Sequence, residues 1–301
     1  MSTISIRDLT KTYNATPAVQ DLSLDVEPGS VFGLLGPNGA GKTTTFKCML
    51  GLAQPSNGTI LYEGEPLTPA RFETLSYVPE KSVLYDWMTV GQHLEMQRRA
   101  FARFDGKRAA ELMNLFSLDP KKRVRNLSKG MRTMVALVMA FSTQPEILVL
   151  DEPTSGLDPI NQRAVLNLLV DAAARGVTVV FSSHQIGQVE RAADTIAILQ
   201  RGRLLLSGAV DDLKAGWKIV EGIFPDDRFA INGIASDPRV HRVDRAGRIV
   251  RLSVEREAGA VGAALQAVGA ESVREVDLNL EDIFLNAVDP KSEAGAYLEA
   301  R

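Results

Sequence analysis

The stretch Gly36-Pro37-Asn38-Gly39-Ala40-Gly41-Lys42-Thr43-Thr44 carries the clearest chemistry in the chain. Its three glycines precede a lysine and a threonine in the spacing of a phosphate-binding loop, between the short apolar run "SVFGLL" and a helical pattern. Each residue type has a task. Glycines let successive backbone N–H groups curl around phosphate oxygens, and the helix beginning near Gly41 presents its positive N-terminus. Lys42 reaches the terminal phosphates, and the Thr43 hydroxyl can ligate Mg²⁺. A glycine-rich turn without a ligand would explain neither the lysine nor its position. Far downstream, "ILVL" (147–150) reads as a fully buried strand of a parallel sheet and delivers Asp151 and Glu152 at its carboxyl end, where open α/β sheets bind ligands. Asp151 is placed to hold Mg²⁺, and Glu152 could polarise an attacking water. Alone, such a pair could be a solvated loop or a helix cap; together with the upstream loop it points to a nucleoside triphosphate.

The elements that position these residues follow from periodicity. "ISIRDLT" and "AVQDLSLDV" alternate as half-buried strands. After Glu152, Asp158 is a candidate helix N-cap with Pro159 at the first helical position. "VTVVFSSHQIGQVE" repeats the strand-to-loop pattern and leaves His184 just past the sheet edge, where a lone histidine is more often a satisfied side chain than a catalytic one. Between the two carboxylate stations, "TVGQHLEMQRRAFARF" sets Val90, Leu94, Phe101 and Phe104 at helical spacing, and "GKRAAELMNLFSL" follows as a second helix. The loop-like "VLYDWM" (83–88) presents Leu84, Tyr85, Trp87 and Met88, either as a socket for a partner or as packing beneath the helices. "NLSKGM" (126–131) starts a further helix with Ser, Lys and Gly in place of strong helix formers.

Composition narrows the function classes. The chain has 301 residues, 45% hydrophobic and 24% charged, which suits a large soluble domain plus a smaller one. A net charge of −3 offers no overall basic field for nucleic acid or for adsorption to an anionic membrane. Its single cysteine, Cys48, suits a reducing compartment and reads as a small buried hydrophobe. The first residues, "MSTISIRDLT", lack the pattern of a signal peptide, and the longest apolar run, "MVALVMAF", falls far short of a membrane span. A cytoplasmic protein with no direct membrane span is expected.

This set of residues resembles the ATP-binding cassette (ABC) ATPases over roughly residues 3–210. "GPNGAGKTT" looks like their Walker A, "ILVLDEP" their Walker B, "SGLD" (155–158) their D-loop, His184 their switch histidine and "LSKGM" (127–131) a variant of their signature. The resemblance implies an α/β fold, a P-loop nucleotide-binding domain over 1–215 with a helical subdomain at about 80–142, and ATP and Mg²⁺ as cofactors. It further implies that Ser128 and the backbone around Gly130 close over ATP held by a second protomer, with Asp158 at the seam and His184 on the γ-phosphate; Ser128 could equally cap its own helix. Tyr13 matches the aromatic that stacks on adenine, or is a strand-edge tyrosine. Two positions depart from the family pattern. Glu80 stands where a glutamine usually touches Mg²⁺, remaining an oxygen ligand but adding negative charge, and Lys129 and Met131 replace the signature's glycine and glutamine. Both variants look like bacterial exporters whose ATPase and membrane subunits are separate chains, of the multidrug, antibiotic and peptide-export kind.

From about residue 216 the composition shifts. Strand "WKIVEGIF", a short helix near 226–234, strands "RVHRVDR" and "RIVRLSV", helix "AGAVGAALQAV", strand "SVREVDL" and helix "LEDIFLNAV" give βαββαβ and a final helix, the order of a small ferredoxin-like α+β domain over 216–301. Residues 289–301 are expected to fray. No chemistry falls in this part. The resulting expectation is a homodimeric ATPase, bound at the inner membrane face through a permease and contacting no nucleic acid. An importer ATPase is the alternative within the family, and such chains commonly append an all-β domain. A soluble ABC protein acting on ribosomes or DNA usually has two cassettes or long heptad insertions, and a nucleotide sensor without turnover would not need Glu152.

Overall fold

The computed structural model describes residues 3–81 and 83–288. They divide into two compact units, Met1–Ser207 and Gly208–Arg301. The seam thus falls earlier than the 215/216 boundary expected from composition.

The first unit opens with the antiparallel hairpin of β1 (Ile4–Tyr13) and β2 (Thr16–Val26). Ile4, Ile6 and Leu9 turn inward and are fully buried, which is why the alternating pattern of β1 was readable. β3 (Val31–Leu35) then leads into the phosphate loop and α1 (Lys42–Met49). β4 (Asn57–Tyr62) and β5 (Glu65–Pro66) complete a four-stranded sheet in the order β2-β1-β4-β5.

β6 (Leu75–Val78) precedes a helical segment of α2 (Val90–Ala100), α3 (Gly106–Leu115) and α4 (Lys129–Ser142). α2 opens with a capping box between Thr89 and Gln92. It ends at Ala100 and does not run on through Phe104 as the spacing suggested. Phe101 turns extended, and the link serves Asp105, whose carboxylate accepts the Lys107 and Arg108 N–H groups to start α3.

The chain returns through β7 (Ile147–Leu150), α5 (Pro159–Ala173), β8 (Thr178–Ser183), α6 (Ile186–Ala192), β9 (Thr195–Gln200) and β10 (Arg203–Ala209). The second sheet has the order β10-β9-β3-β8-β7-β6. Its strands β9, β3, β8, β7 and β6 run parallel. Every residue of β3, β7 and β8 is buried, as continuous apolar strands covered on both faces require. Phe32, Leu34, Phe46, Val149, Val180 and Leu199 pack in the core shared with β1 and β2. The carboxyl ends of β3, β7 and β8 carry Gly36–Lys42, Asp151–Glu152 and His184, so one sheet edge gathers residues scattered through the sequence.

The second unit contains α7 (Val210–Gly216), β11 (Trp217–Ile223), α8 (Asn232–Ala235), β12 (Val240–Ala246), β13 (Ile249–Glu255), α9 (Ala258–Ala267), β14 (Ser272–Asp277) and α10 (Leu280–Val288). The sheet order is β12-β13-β11-β14 with all neighbours antiparallel. Val220 and Leu252 of the sheet pack with Val261 and Leu265 of α9 in its core. The expected helix at 226–234 shrinks to the single turn of α8. Asp226 accepts the Arg228 N–H, and Phe229 stacks on Phe224 with ring centroids 3.9 Å apart, so this segment is a packed loop. The expectation for 289–301 lies outside the described residues. Among those described, no helix is long and apolar enough to cross a membrane.

Candidate functional site

The phosphate loop is shaped by positions that exclude a side chain. Gly36 has φ 153°, and a Cβ there would lie 2.4 Å from the Leu199 carbonyl oxygen. Gly41, with φ 109°, would place one 2.7 Å from the Ala18 carbonyl oxygen. Lys42 is nearly buried and folds back over the loop, donating to Gly36 O at 2.6 Å, with its ammonium 3.4 Å from Glu152 Oε1.

Two carboxylates close the other side. Thr43 Oγ1 donates to Asp151 Oδ2 at 2.6 Å, and Ser182 Oγ donates to Asp151 Oδ1 at 2.6 Å. The same Ser182 hydroxyl accepts the Glu152 N–H at 2.9 Å. Glu152 is a non-glycine residue with φ 51°, a strained setting that re-aims its side chain away from the line of β7. Its Oε2 lies 2.8 Å from His184 Nδ1, so the carboxylate is held between Lys42 and a half-exposed imidazole. Burial, then the charges of Asp151 and Glu80, push the Tyr77 phenol well above its usual range.

These residues line a cleft of about 630 Å³ that contains Pro37 through Thr44, Glu80, Asp151, Glu152 and His184, joined by Ala18 and Ser155. Sequence reasoning missed Ser182, Ala18 and Ser155. Ser182 had a signal, since hydroxyls in "FSSH" interrupt an otherwise apolar buried strand. Ala18 had none, because β2 carries it in through the antiparallel sheet.

Five expected site residues lie outside that lining: Gly36, at the root of the phosphate loop, and Tyr13, Ser128, Gly130 and Asp158. Tyr13 ends β1 half-exposed, with the Lys11 ammonium 4.8 Å above its ring centroid. Ser128 caps α4, its Oγ accepting the Met131 N–H at 3.2 Å. A Cβ on Gly130 would sit 2.7 Å from Gly156 O, so the start of α4 packs directly on the 155–158 loop. Asp158 caps α5 by accepting the Asn161 and Ile160 N–H groups at 3.0 Å; the Asn161 N–H and then its side-chain amide do most to hold the Asp158 carboxyl below the ordinary range.

The residues of the 83–88 loop differ in exposure. Met88 is buried, whereas Val83, Tyr85 and Trp87 are 77%, 52% and 69% exposed. Buried His93 anchors the loop: its Nε2 accepts the Tyr85 N–H at 2.9 Å and its Nδ1 faces Thr89 O at 3.0 Å. A backbone N–H only donates, so Nε2 is the bare nitrogen and Nδ1 carries the proton.

Residues 19–155 match the family described as ABC transporter. The ABC transporter ATP-binding protein YtrB of Bacillus subtilis (strain 168) is 30% identical over 94% of this chain and 97% of its own length. The chain belongs to the ATP-binding subunits of ABC transporters. The Nod factor export ATP-binding protein I of Cupriavidus metallidurans is 31% identical over 94% of this chain and 96% of its own. A solved ATP-binding subunit of an ABC transporter superposes with a TM-score of 0.65 at 31% identity, covering 71% of this chain and 92% of that one. Another, cbiO1 from Clostridium perfringens, described as part of the cbiONQ complex, gives 0.60 at 26% identity, over 71% and 91%.

As an ABC ATPase, this subunit binds and hydrolyses ATP, and its cleft fits a magnesium nucleotide. A Cβ on Gly39, whose φ is 80°, would meet nothing within 4 Å, leaving open the cradle that phosphate oxygens enter. Thr43, Asp151 and Glu80 all line the cleft, and their hard oxygens are the donor type that Mg²⁺ takes.

Proposed function

We propose that two copies of this chain hydrolyse ATP between them and that hydrolysis drives export through a separate membrane permease. The observation that carries the catalytic part is the placement of Glu152, buried, backbone-strained, and held by Lys42 and His184 at the mouth of the phosphate loop. In this reading the N–H groups from Gly39 to Thr44 and the α1 N-terminus hold the phosphates, and Lys42 spreads charge away from the γ-phosphoryl group. The Glu152 carboxylate takes the proton of the attacking water. His184 fixes the direction of that carboxylate and reaches the γ-phosphate. Thr43 and Asp151, with Glu80 a further oxygen of the cleft lining, would hold Mg²⁺, which when bound would neutralise phosphate charge.

Ser128 and Gly130 stand apart from their own cleft, which supports a signature helix that closes on a second copy. Asp158, capping α5 beside that helix start, would lie at the seam, and Tyr13 would meet the adenine of its own chain. The exposed Val83, Tyr85 and Trp87 suit a membrane subunit, being large apolar groups held on a rigid anchor. Export is supported by the Nod factor export relatives, similar over 94% of the chain, and the working place is the inner membrane face.

Glu152→Gln keeps size and hydrogen bonding but removes the base. Nucleotide binding should persist while phosphate release falls by about a thousandfold, and an ATP-bound dimer should accumulate on size exclusion. Turnover at the wild-type rate would exclude Glu152 as the base.

A further inference from the structure

Glu80 borders two clefts. One is the nucleotide cleft; the other, of about 440 Å³, is lined by Glu80, Lys81, Lys129, Arg132 and Thr133. Glu80 follows the carboxyl end of edge strand β6, and Lys129 opens α4, so the two come from different parts of the chain. The cations of this second cleft are not equivalent. The Arg132 guanidinium is held by Asp86 at 2.7 Å. Lys81 is an exposed side chain adjacent to Glu80 in sequence. Lys129 is fixed: its Nζ donates to Ser155 Oγ at 2.9 Å, and its stem lies over Gly156, where a Cβ would come within 3.1 Å of its Cδ. Ser155 itself lines the nucleotide cleft. The Lys129 ammonium is therefore bonded to a hydroxyl that lines the nucleotide cleft of its own chain, and it shares a second cleft with the Glu80 carboxylate, which would repel phosphate.

We infer that Lys129 is the counter-charge of Glu80 and a positioning residue for nucleotide binding in the same chain. It offsets the carboxylate at the rim and, through Ser155, holds the turn that follows Glu152. This inference rests on the nucleotide cleft being the ATP site. Unlike the contact of Ser128, it needs no second copy, because Ser155 and Glu80 belong to the chain that carries Lys129. Two charges interacting across a partly solvated cleft change affinity by roughly three- to tenfold, and salt screens the effect.

The test is ATP binding to dilute monomer, read by equilibrium dialysis in low and high salt with Mg²⁺ present. Lys129→Met keeps the stem over Gly156 and removes the charge. It should raise the dissociation constant about fivefold at low salt and less at high salt, and Lys129→Arg should restore most of the affinity. In a Glu80→Gln background, Lys129→Met should cost less than twofold. An equal cost in both backgrounds, a cost insensitive to salt, or a larger cost for Lys81→Met would each overturn the pairing. Failure of wild-type protein to bind ATP, or its loss of sensitivity to Lys42→Ala, would instead remove the site on which the inference stands.

Discussion

The Thr43 hydroxyl donates to Asp151 Oδ2 at 2.6 Å although the two residues are 108 positions apart. This bond joins the start of α1 to the carboxyl end of β7, and with them the phosphate loop to the acidic pair. Ser182 extends the link, giving its proton to the other Asp151 oxygen and accepting the Glu152 N–H.

Ser182→Ala should therefore act on both carboxylates at once. It leaves a buried carboxylate oxygen and a buried N–H short of partners, at a cost of about 1–3 kcal/mol. Urea denaturation should show that loss, and ATP turnover should drop as the Glu152 turn loosens. A variant with unchanged midpoint and turnover would show that the Ser182 bridge is dispensable.

Gly130 is a second structural pivot. An alanine there would bring its Cβ to 2.7 Å from Gly156 O and 3.0 Å from Leu157 Cδ2, so backbone has to move. Gly130→Ala should destabilise by about 1–3 kcal/mol and lower turnover more than ATP affinity, since the phosphate loop is untouched. Thermal unfolding and steady-state kinetics measure the two effects, and an unaltered variant would contradict the close packing of α4 on the 155–158 loop.

In the second unit, Glu221 is buried between Arg251 Nε at 2.6 Å and Arg274 Nε at 2.7 Å. Burial raises its carboxyl pKa, but hydrogen bonds from the two guanidinium groups outweigh that and bring it below the ordinary 4.5. A carboxylate depressed by folding contributes stability that is present above its unfolded value and lost as pH falls through the lower folded value. Acidification below about pH 4.5 should therefore weaken this unit, read from buried Trp217 fluorescence in a Trp87→Phe background. The acid limb should be flatter in Glu221→Gln; an identical limb would deny the linkage.

Much of the site was legible because its chemistry is local in sequence. Gly36 to Thr44 form one loop, Asp151 and Glu152 end one apolar run, and Asp158 with Pro159 announces a helix start. What escaped reading depends on distant partners. Ser182 matters only because β8 lies beside β7 in the sheet. The end of α2 at Ala100 depends on Asp105 starting the next helix, which overrides the helical spacing of Phe101 and Phe104. The short helix expected near 226–234 forms only from Asn232, because Phe229 stacks on Phe224 and holds the stretch before it as a loop. Tyr13 fits a motif position, but nothing in its neighbours says where the β1 end lies relative to the cleft.

The central claim, that each ATP site is completed by a second copy, is tested most directly by mixing two inactive variants. Lys42→Ala should be inactive because each site lacks the phosphate-binding ammonium. Ser128→Arg should be inactive because a bulky cation blocks each signature helix, with circular dichroism checking that loss of the α4 cap leaves the fold intact. In a mixed dimer, the intact loop of the Ser128→Arg chain faces the intact signature of the Lys42→Ala chain. Equal amounts with random pairing should recover about a quarter of wild-type turnover, less if both sites must fire together. No recovery, with subunit exchange shown by differently labelled chains, would mean that Ser128 serves its own site and would contradict the account.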